Sequence, residues 1–173
     1  MSDVIQVRAL HAVDEREIQE LSDVLIDCVE GGASVSFMLP IARATAAAFW
    51  RGVAASALRR ERILMVAQNA AGQIIGTVQI IFAQAENQPH RADIAKMLVH
   101  RRARRLGVGA ALLAAAEREA LNAGKTLLVL DTASGDAERL YAKLGWQRCG
   151  LIPGYALLPG GGLCDTTFFY RTL

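Results

Sequence analysis

Four of the five residues from Arg101 to Arg105 are arginines, and Gly107 and Gly109 follow directly ahead of an alanine-rich segment. The run Arg104-Arg105-Leu106-Gly107-Val108-Gly109 stands between a β-like stretch ending at Val99 and a helix-like stretch over 107–122. A helix start leaves about four backbone N–H groups without partners and carries a partial positive charge. Glycines let an anion reach those groups without Cβ obstruction, and arginines add fork-shaped donors. The chemistry this pattern offers is diphosphate binding through the backbone N–H groups of residues 106–110 (Leu106, Gly107, Val108, Gly109, Ala110). A basic surface turn is the plainer reading, but the position between a strand and an apolar helix argues against it.

No second constellation competes. Cys28, Cys149 and Cys164 are odd in number and widely spaced, without a C-x-x-C pair or a histidine at ligand spacing, so a reduced protein without a metal is expected. His11, His90 and His100 have no Ser or Cys partner in a recognisable motif, and neither a nucleophile elbow nor H-E-x-x-H occurs.

Positioning the arginine-glycine run requires an α/β frame. Alternation over Val4 to Leu10 predicts a first strand. Asp14 with Glu17 predicts a capped helix whose apolar face is Ile18, Leu21, Leu25 and Cys28. Gly31 to Pro40 reads as a loop with exposed Phe37 and Met38, and Pro40 as the first turn of a second helix reaching about Arg60. Ile63 to Gln68 and Gln73 to Phe82 form a hairpin with a bulge at Gly76. Arg91 to Val99 is a fourth strand, and Gly124 stops the helix that begins at Gly107. Thr126 to Asp131 reads as a strand buried on both faces. A helix over about Asp136 to Lys143 follows. Strands near Trp146 to Ile152 and Thr166 to Arg171 flank a loop containing Pro153, Gly154 and Gly160 to Gly162. The expected architecture is an α/β mixed sheet in one domain over 1–173.

Composition bounds the partners. Within 173 residues, 19 basic and 17 acidic side chains leave a charge of +2, too little for nucleic-acid binding through an overall field. Residues 1–30 hold eight acids against Arg8 and Arg16, an acidic surplus that belongs to the solvent face of the first helix. Mean hydropathy is +0.25, yet the apolar run Leu106 to Ala116 is far short of the roughly 20 residues a membrane span needs. The first residues, including Asp3, Arg8 and His11, lack the apolar run of a secretory signal, so a cytoplasmic location is expected.

Arg104-x-x-Gly107-x-Gly109 resembles the acetyl-CoA signature of the GNAT superfamily of N-acetyltransferases, and Leu140-Tyr141-x-x-Leu144-Gly145-Trp146 resembles its second marker. The element order is similar throughout. Gly31-Gly32-Ala33-Ser34-Val35, Arg91-Ala92-Asp93, Leu130-Asp131-Thr132 and Pro153-Gly154-Tyr155 further resemble the tabtoxin-resistance type of that superfamily.

The resemblance implies a GNAT fold, with a mixed central sheet whose fourth and fifth strands splay apart between flanking helices. It implies acetyl-CoA as co-substrate, its pantetheine arm pairing with the backbone of Met97, Leu98 and Val99. A free N–H near Leu98 would polarise the thioester carbonyl. Asp93 stands near where relatives place a glutamate of basic role. Asp131 ends the adjacent strand, so both carboxylates could face one cleft, with burial and repulsion raising at least one pKa. Tyr141 is the implied proton donor to the departing thiolate, and Ser134 replaces the usual asparagine that bonds the pantetheine. Ser34, Phe37 and Tyr155, on the two loops that should bound the acceptor side, are the substrate-side candidates.

The expected activity is direct transfer of an acetyl group to a primary amine of a small, amino-acid-like or antibiotic-like molecule, by a monomer or homodimer. A protein or peptide N-acetyltransferase and a non-catalytic acyl-CoA sensor are the alternatives. A dinucleotide-binding protein fits less well, because Leu112 occupies the third glycine position and the motif lies mid-chain.

Overall fold

The structure is a computed structural model that describes residues 5–173, so the expected strand start at Val4 lies outside the described residues. In chain order the elements are β1 (Gln6–Leu10), α1 (Glu15–Glu30), α2 (Arg43–Leu58), β2 (Arg62–Gln68), β3 (Ile74–Phe82), β4 (Arg91–Val99), α3 (Val108–Asn122), β5 (Leu127–Thr132), α4 (Gly135–Lys143), β6 (Gln147–Leu157) and β7 (Leu163–Thr172), with one turn of 3-10 helix at Arg101–Ala103 before α3. The seven strands form one sheet in the order β1-β2-β3-β4-β5-β7-β6, parallel between β4 and β5 and antiparallel elsewhere.

Local sequence explains the start of α1. Asp14 Oδ1 accepts from the Glu17 N–H at 2.8 Å, and Glu17 Oε2 accepts from the Asp14 N–H at 3.0 Å, which satisfies two orphan donors reciprocally. Ile18, Leu21, Leu25 and Cys28 then fall on the buried face, as their spacing predicts. With Trp50 of α2 and Leu64, Val66 and Leu98 of the sheet they form one core layer. Met65, Val78, Ile80, Ile94, Leu112, Leu113, Leu128 and Phe169 form the other, beneath α3. Gly76 permits the close approach of α3, since a Cβ there would meet Val108 and Leu112 side-chain atoms at 3.0 and 3.1 Å.

Several boundaries differ from the sequence reading. Pro40 is not in a first helical turn, because Ala42 is the N-cap of α2 and Pro40 precedes it. The bulge expected at Gly76 appears as a register shift, with Ala67 paired to Gly76 and Gln68 to Ile74. Pro153, Gly154 and Tyr155 belong to β6 rather than to a loop. They bulge between the Ile152–Thr166 and Ala156–Cys164 pairs, where Asp165 Oδ1 accepts from the Gly154 N–H at 2.9 Å. An edge strand tolerates such a proline. Phe37 is half-buried edge-on to Phe49 at 5.2 Å between centroids, whereas Met38 is exposed. β5 buries Leu128 and Leu130 but leaves Leu127 and Val129 half-open and Asp131 exposed, so it is not buried on both faces. Among the described residues no helix is long and apolar enough to cross a membrane, and the three cysteines are unpaired.

Candidate active site

The parallel ladder between β4 and β5 has three rungs, Arg91–Leu127, Ala92–Leu128 and Asp93–Val129. Beyond Asp93 the strands part, and β5 stays paired only with β7 as far as Thr132. A bulge accounts for the divergence. Between the Gln79–Ala95 and Thr77–Leu98 pairs β4 carries one more residue than β3, and Lys96 within that stretch has φ +48°. A bulge bends its strand and increases the local twist. The splay leaves the outer backbone edge of β4, through Met97, Leu98 and Val99, without a strand neighbour. The Met97 and Val99 side chains pack toward the α3 layer and Leu98 toward the α1–α2 layer, so only backbone groups line the wedge edge.

At the mouth of the wedge, α3 begins without a capping side chain, its N-cap Gly107 left-handed at φ +82°. The first helical bond runs from the Ala111 N–H to the Gly107 carbonyl at 3.0 Å, so the N–H groups of Val108, Gly109 and Ala110 have no partner within the helix. Arg105, also left-handed at φ +62°, and Leu106 lead into the turn. The two glycines serve different ends. Gly107 supplies the left-handed φ with open space around it, whereas a Cβ on Gly109 would meet Leu140 Cδ2 of α4 at 3.1 Å. The arginines also divide. Arg101 is held by Asp27, its N–H and Nε donating to that carboxylate at 2.7 and 3.0 Å. Arg104 and Arg105 are exposed and form no ion pair among the described residues, Arg104 Nε reaching the Val99 carbonyl at 3.4 Å. An uncapped helix start beside two free guanidiniums fits a diphosphate.

The two aspartates differ. Asp93 Oδ1 accepts from Arg91 at 2.7 Å, in a pair that Gln88 braces by accepting from Arg91 Nε at 2.9 Å. Asp131 has no ion pair among the described residues. Partial desolvation, the largest cause, raises its pKa; Lys96 opposes the rise and the charge of Asp93 adds to it. Tyr141 of α4 is buried against Trp146 and Phe169, at 5.9 and 5.7 Å between ring centroids. Burial and the charge of Asp131 push its phenol up to about 12, so it is a protonated donor at neutral pH. Ser134 is the N-cap of α4, its hydroxyl accepting from the Ala137 N–H at 3.4 Å.

The acceptor side is walled by the segments before α2 and between β6 and β7. Ser34 donates to the Leu157 carbonyl at 3.0 Å and the Leu39 N–H donates to the Pro159 carbonyl at 2.9 Å, which ties the two segments together. The Ser34 hydroxyl is thus a structural tie. Tyr155 is exposed, edge-on to Phe168 at 5.7 Å. Lys96, by sequence a possible ion-pair partner of Asp93, forms no ion pair among the described residues, Asp93 pairing with Arg91 instead. Its Nζ donates to Ser36 Oγ at 3.0 Å and lies 5.9 Å from the Phe49 centroid. The sequence shows it as a lysine in an otherwise apolar half-strand.

Comparison with known proteins agrees with this fold. The profile of the family described as acetyltransferase (GNAT) matches residues 36–146. An uncharacterized N-acetyltransferase from the hisH-hisA intergenic region of Azospirillum brasilense is 31% identical over 133 residues, 76% of each chain. Among solved structures, a protein described as a phosphinothricin N-acetyltransferase superposes with a TM-score of 0.80 at 20% identity, covering 98% of this chain and 99% of that one. YncA of Salmonella typhimurium, described as an acetyltransferase and solved with its cofactor acetyl-CoA, gives a TM-score of 0.79 at 18% identity, covering 98% and 94%.

Proposed function

The chain belongs to the GNAT family of acetyltransferases, whose co-substrate is acetyl-CoA, and we propose that it acetylates a primary amine of a small amino-acid-like or antibiotic-like molecule directly, within a ternary complex. The observation that carries this reading is the end of the β4–β5 ladder at Asp93–Val129, which opens a wedge between a backbone edge and two carboxylates. Acetyl-CoA supplies an acyl carbon activated as a thioester.

This chain's residues supply binding and proton handling. The N–H groups of Leu106 to Ala110, with Arg104 and Arg105, hold the diphosphate. The β4 backbone at Met97 to Val99 pairs with the pantetheine arm, and the N–H near Leu98 faces the thioester carbonyl. Ser134 borders the same arm from the start of α4. An attacking amine must be neutral, so a base has to accept its proton. Asp131 suits that role better than Asp93, since it has no ion pair among the described residues and desolvation raises its pKa. Asp93, held by Arg91, orients the amine or a water between them. Tyr141 donates its phenolic proton to the departing thiolate.

The small-molecule preference rests on the segments that border the acceptor side, which are tied at Ser34–Leu157 and Leu39–Pro159. Phe37 and Tyr155 border it. The fold likeness to the phosphinothricin enzyme and the resemblance to the tabtoxin-resistance type favour an amino-acid-like acceptor over a peptide.

Thermal shift with acetyl-CoA, CoA and NAD, followed by thiol release from acetyl-CoA against amines and peptides with free N-termini, tests the proposal. Stabilisation by acetyl-CoA and release with small amines are expected. Release with peptides alone would favour the protein-directed alternative, and binding without turnover on any amine the sensor.

A further inference from the structure

Lys96 and Ser36 are both left-handed non-glycine residues, at φ +48° and +78°, and they are hydrogen-bonded to each other. That conformation is costly for any side chain with a Cβ, and a strained residue beside a cleft points to a job for its side chain. Strain at the bulge turns the Lys96 side chain toward Phe49 and the segment before α2, beside the wedge.

The ammonium there is incompletely satisfied. It has three N–H donors, of which Ser36 Oγ takes one. No carboxylate pairs with it among the described residues; desolvation by burial lowers its pKa, which the charge of Asp131 opposes from a distance. A half-buried, unpaired cation gains from an anion. Its surroundings add positive charge. Arg62 acts on Lys96 as a like charge and donates to Gln79 Oε1 at 2.7 Å, while Gln79 Nε2 is buried without a partner. Asp131 and Asp93 supply the opposite sign. An amine with its own carboxylate a few bonds away complements both.

We infer that Lys96 anchors a carboxylate carried by the amine acceptor, so that amino acids are preferred over the corresponding amines lacking that group. The inference rests on the acetyltransferase reading above and adds a specificity-determining residue to it. With the carboxylate on Nζ, the amino group is directed to Asp131.

The test measures kcat/KM for wild type, Lys96→Ala, Lys96→Gly and Lys96→Arg on matched pairs: methionine and 3-(methylthio)propylamine, phenylalanine and phenethylamine, lysine and cadaverine. Wild type prefers the amino acid in at least one pair. Lys96→Ala and Lys96→Gly lower that preference by about 10-fold to 100-fold, the loss of one charge-assisted hydrogen bond, chiefly through KM. Lys96→Gly does so without losing thermal stability, because it relieves the left-handed strain, and Lys96→Arg restores part of the preference. No wild-type preference, or equal losses on both members of each pair, overturns the inference.

A second readout keeps this separate from failure of the acetyltransferase reading. Saturation-transfer NMR compares N-acetylmethionine with N-acetyl-3-(methylthio)propylamine on wild type and Lys96→Ala. Carboxylate-dependent binding that Lys96→Ala abolishes supports the anchor even if no amine is turned over. Its absence from wild type overturns the anchor even if amines are acetylated.

Discussion

Asp93 and Val129 form the last rung joining β4 to β5, and Asp131 lies two residues past that rung on the side where the strands have parted. The carboxylate at the rung is tied to Arg91, and the one beyond it has no ion pair among the described residues. Asp131→Asn should therefore lower kcat by about 100-fold or more, the range of a lost general base, while the acetyl-CoA dissociation constant stays within about twofold, a change of less than about 0.5 kcal/mol. Asp93→Asn should cost less. The acidic limb of the wild-type rate profile should lie above the ordinary aspartate range, since the Asp131 pKa is raised, and should vanish in Asp131→Asn. If Asp93→Asn removes that limb instead, the roles are reversed.

Tyr141 offers a cleaner substitution. Its ring packs on Trp146 and Phe169, so Tyr141→Phe keeps those contacts and removes only the phenolic hydroxyl. Loss of about 100-fold in kcat is expected, with melting temperature and acetyl-CoA affinity close to wild type. Because burial and Asp131 push the phenol up to about 12, the wild-type profile should show no loss of the Tyr141 proton near neutral pH. A Tyr141→Phe variant with full activity would remove the residue from the mechanism.

The cradle should affect binding rather than chemistry. Arg104→Ala combined with Arg105→Ala removes two exposed, unpaired guanidiniums, so KM for acetyl-CoA should rise about 10-fold while kcat at saturation is kept, and the salt sensitivity of binding should fall. Gly107→Ala should add a loss of stability of about 1–2 kcal/mol, because its φ of +82° is left-handed. Isothermal titration with acetyl-CoA and thermal melting separate the two effects.

Features encoded by neighbours in sequence were legible; those set across the fold were not. The start of α1 follows from Asp14 and Glu17, three residues apart, because a capping box is a local device. The arginine-glycine run located the start of α3 for the same reason. Which arginines remain free depends on Asp27, distant in sequence, which claims Arg101. Pro153-Gly154 carries a loop signal, yet pairing with β7 and the Asp165 carboxylate hold it in a strand. In sequence Lys96 reads as a possible ion-pair partner of Asp93, whereas its left-handed backbone at a bulge is a property of how β3 and β4 register.

Asp131 also links function to stability. Its folded-state pKa lies above the unfolded value, so between the two the folded protein binds more protons. Stability then falls as pH rises through that window, and the penalty is present in full above the folded pKa. At neutral pH Asp131→Asn should therefore melt slightly higher than wild type. At a pH below both values the two proteins should melt alike. Melting curves across that range check the sign. A lower melting temperature for Asp131→Asn at neutral pH would mean that the carboxylate stabilises the fold through Lys96, and its loss of activity could then be structural. A higher melting temperature together with lost turnover is what a carboxylate held unpaired for proton transfer requires.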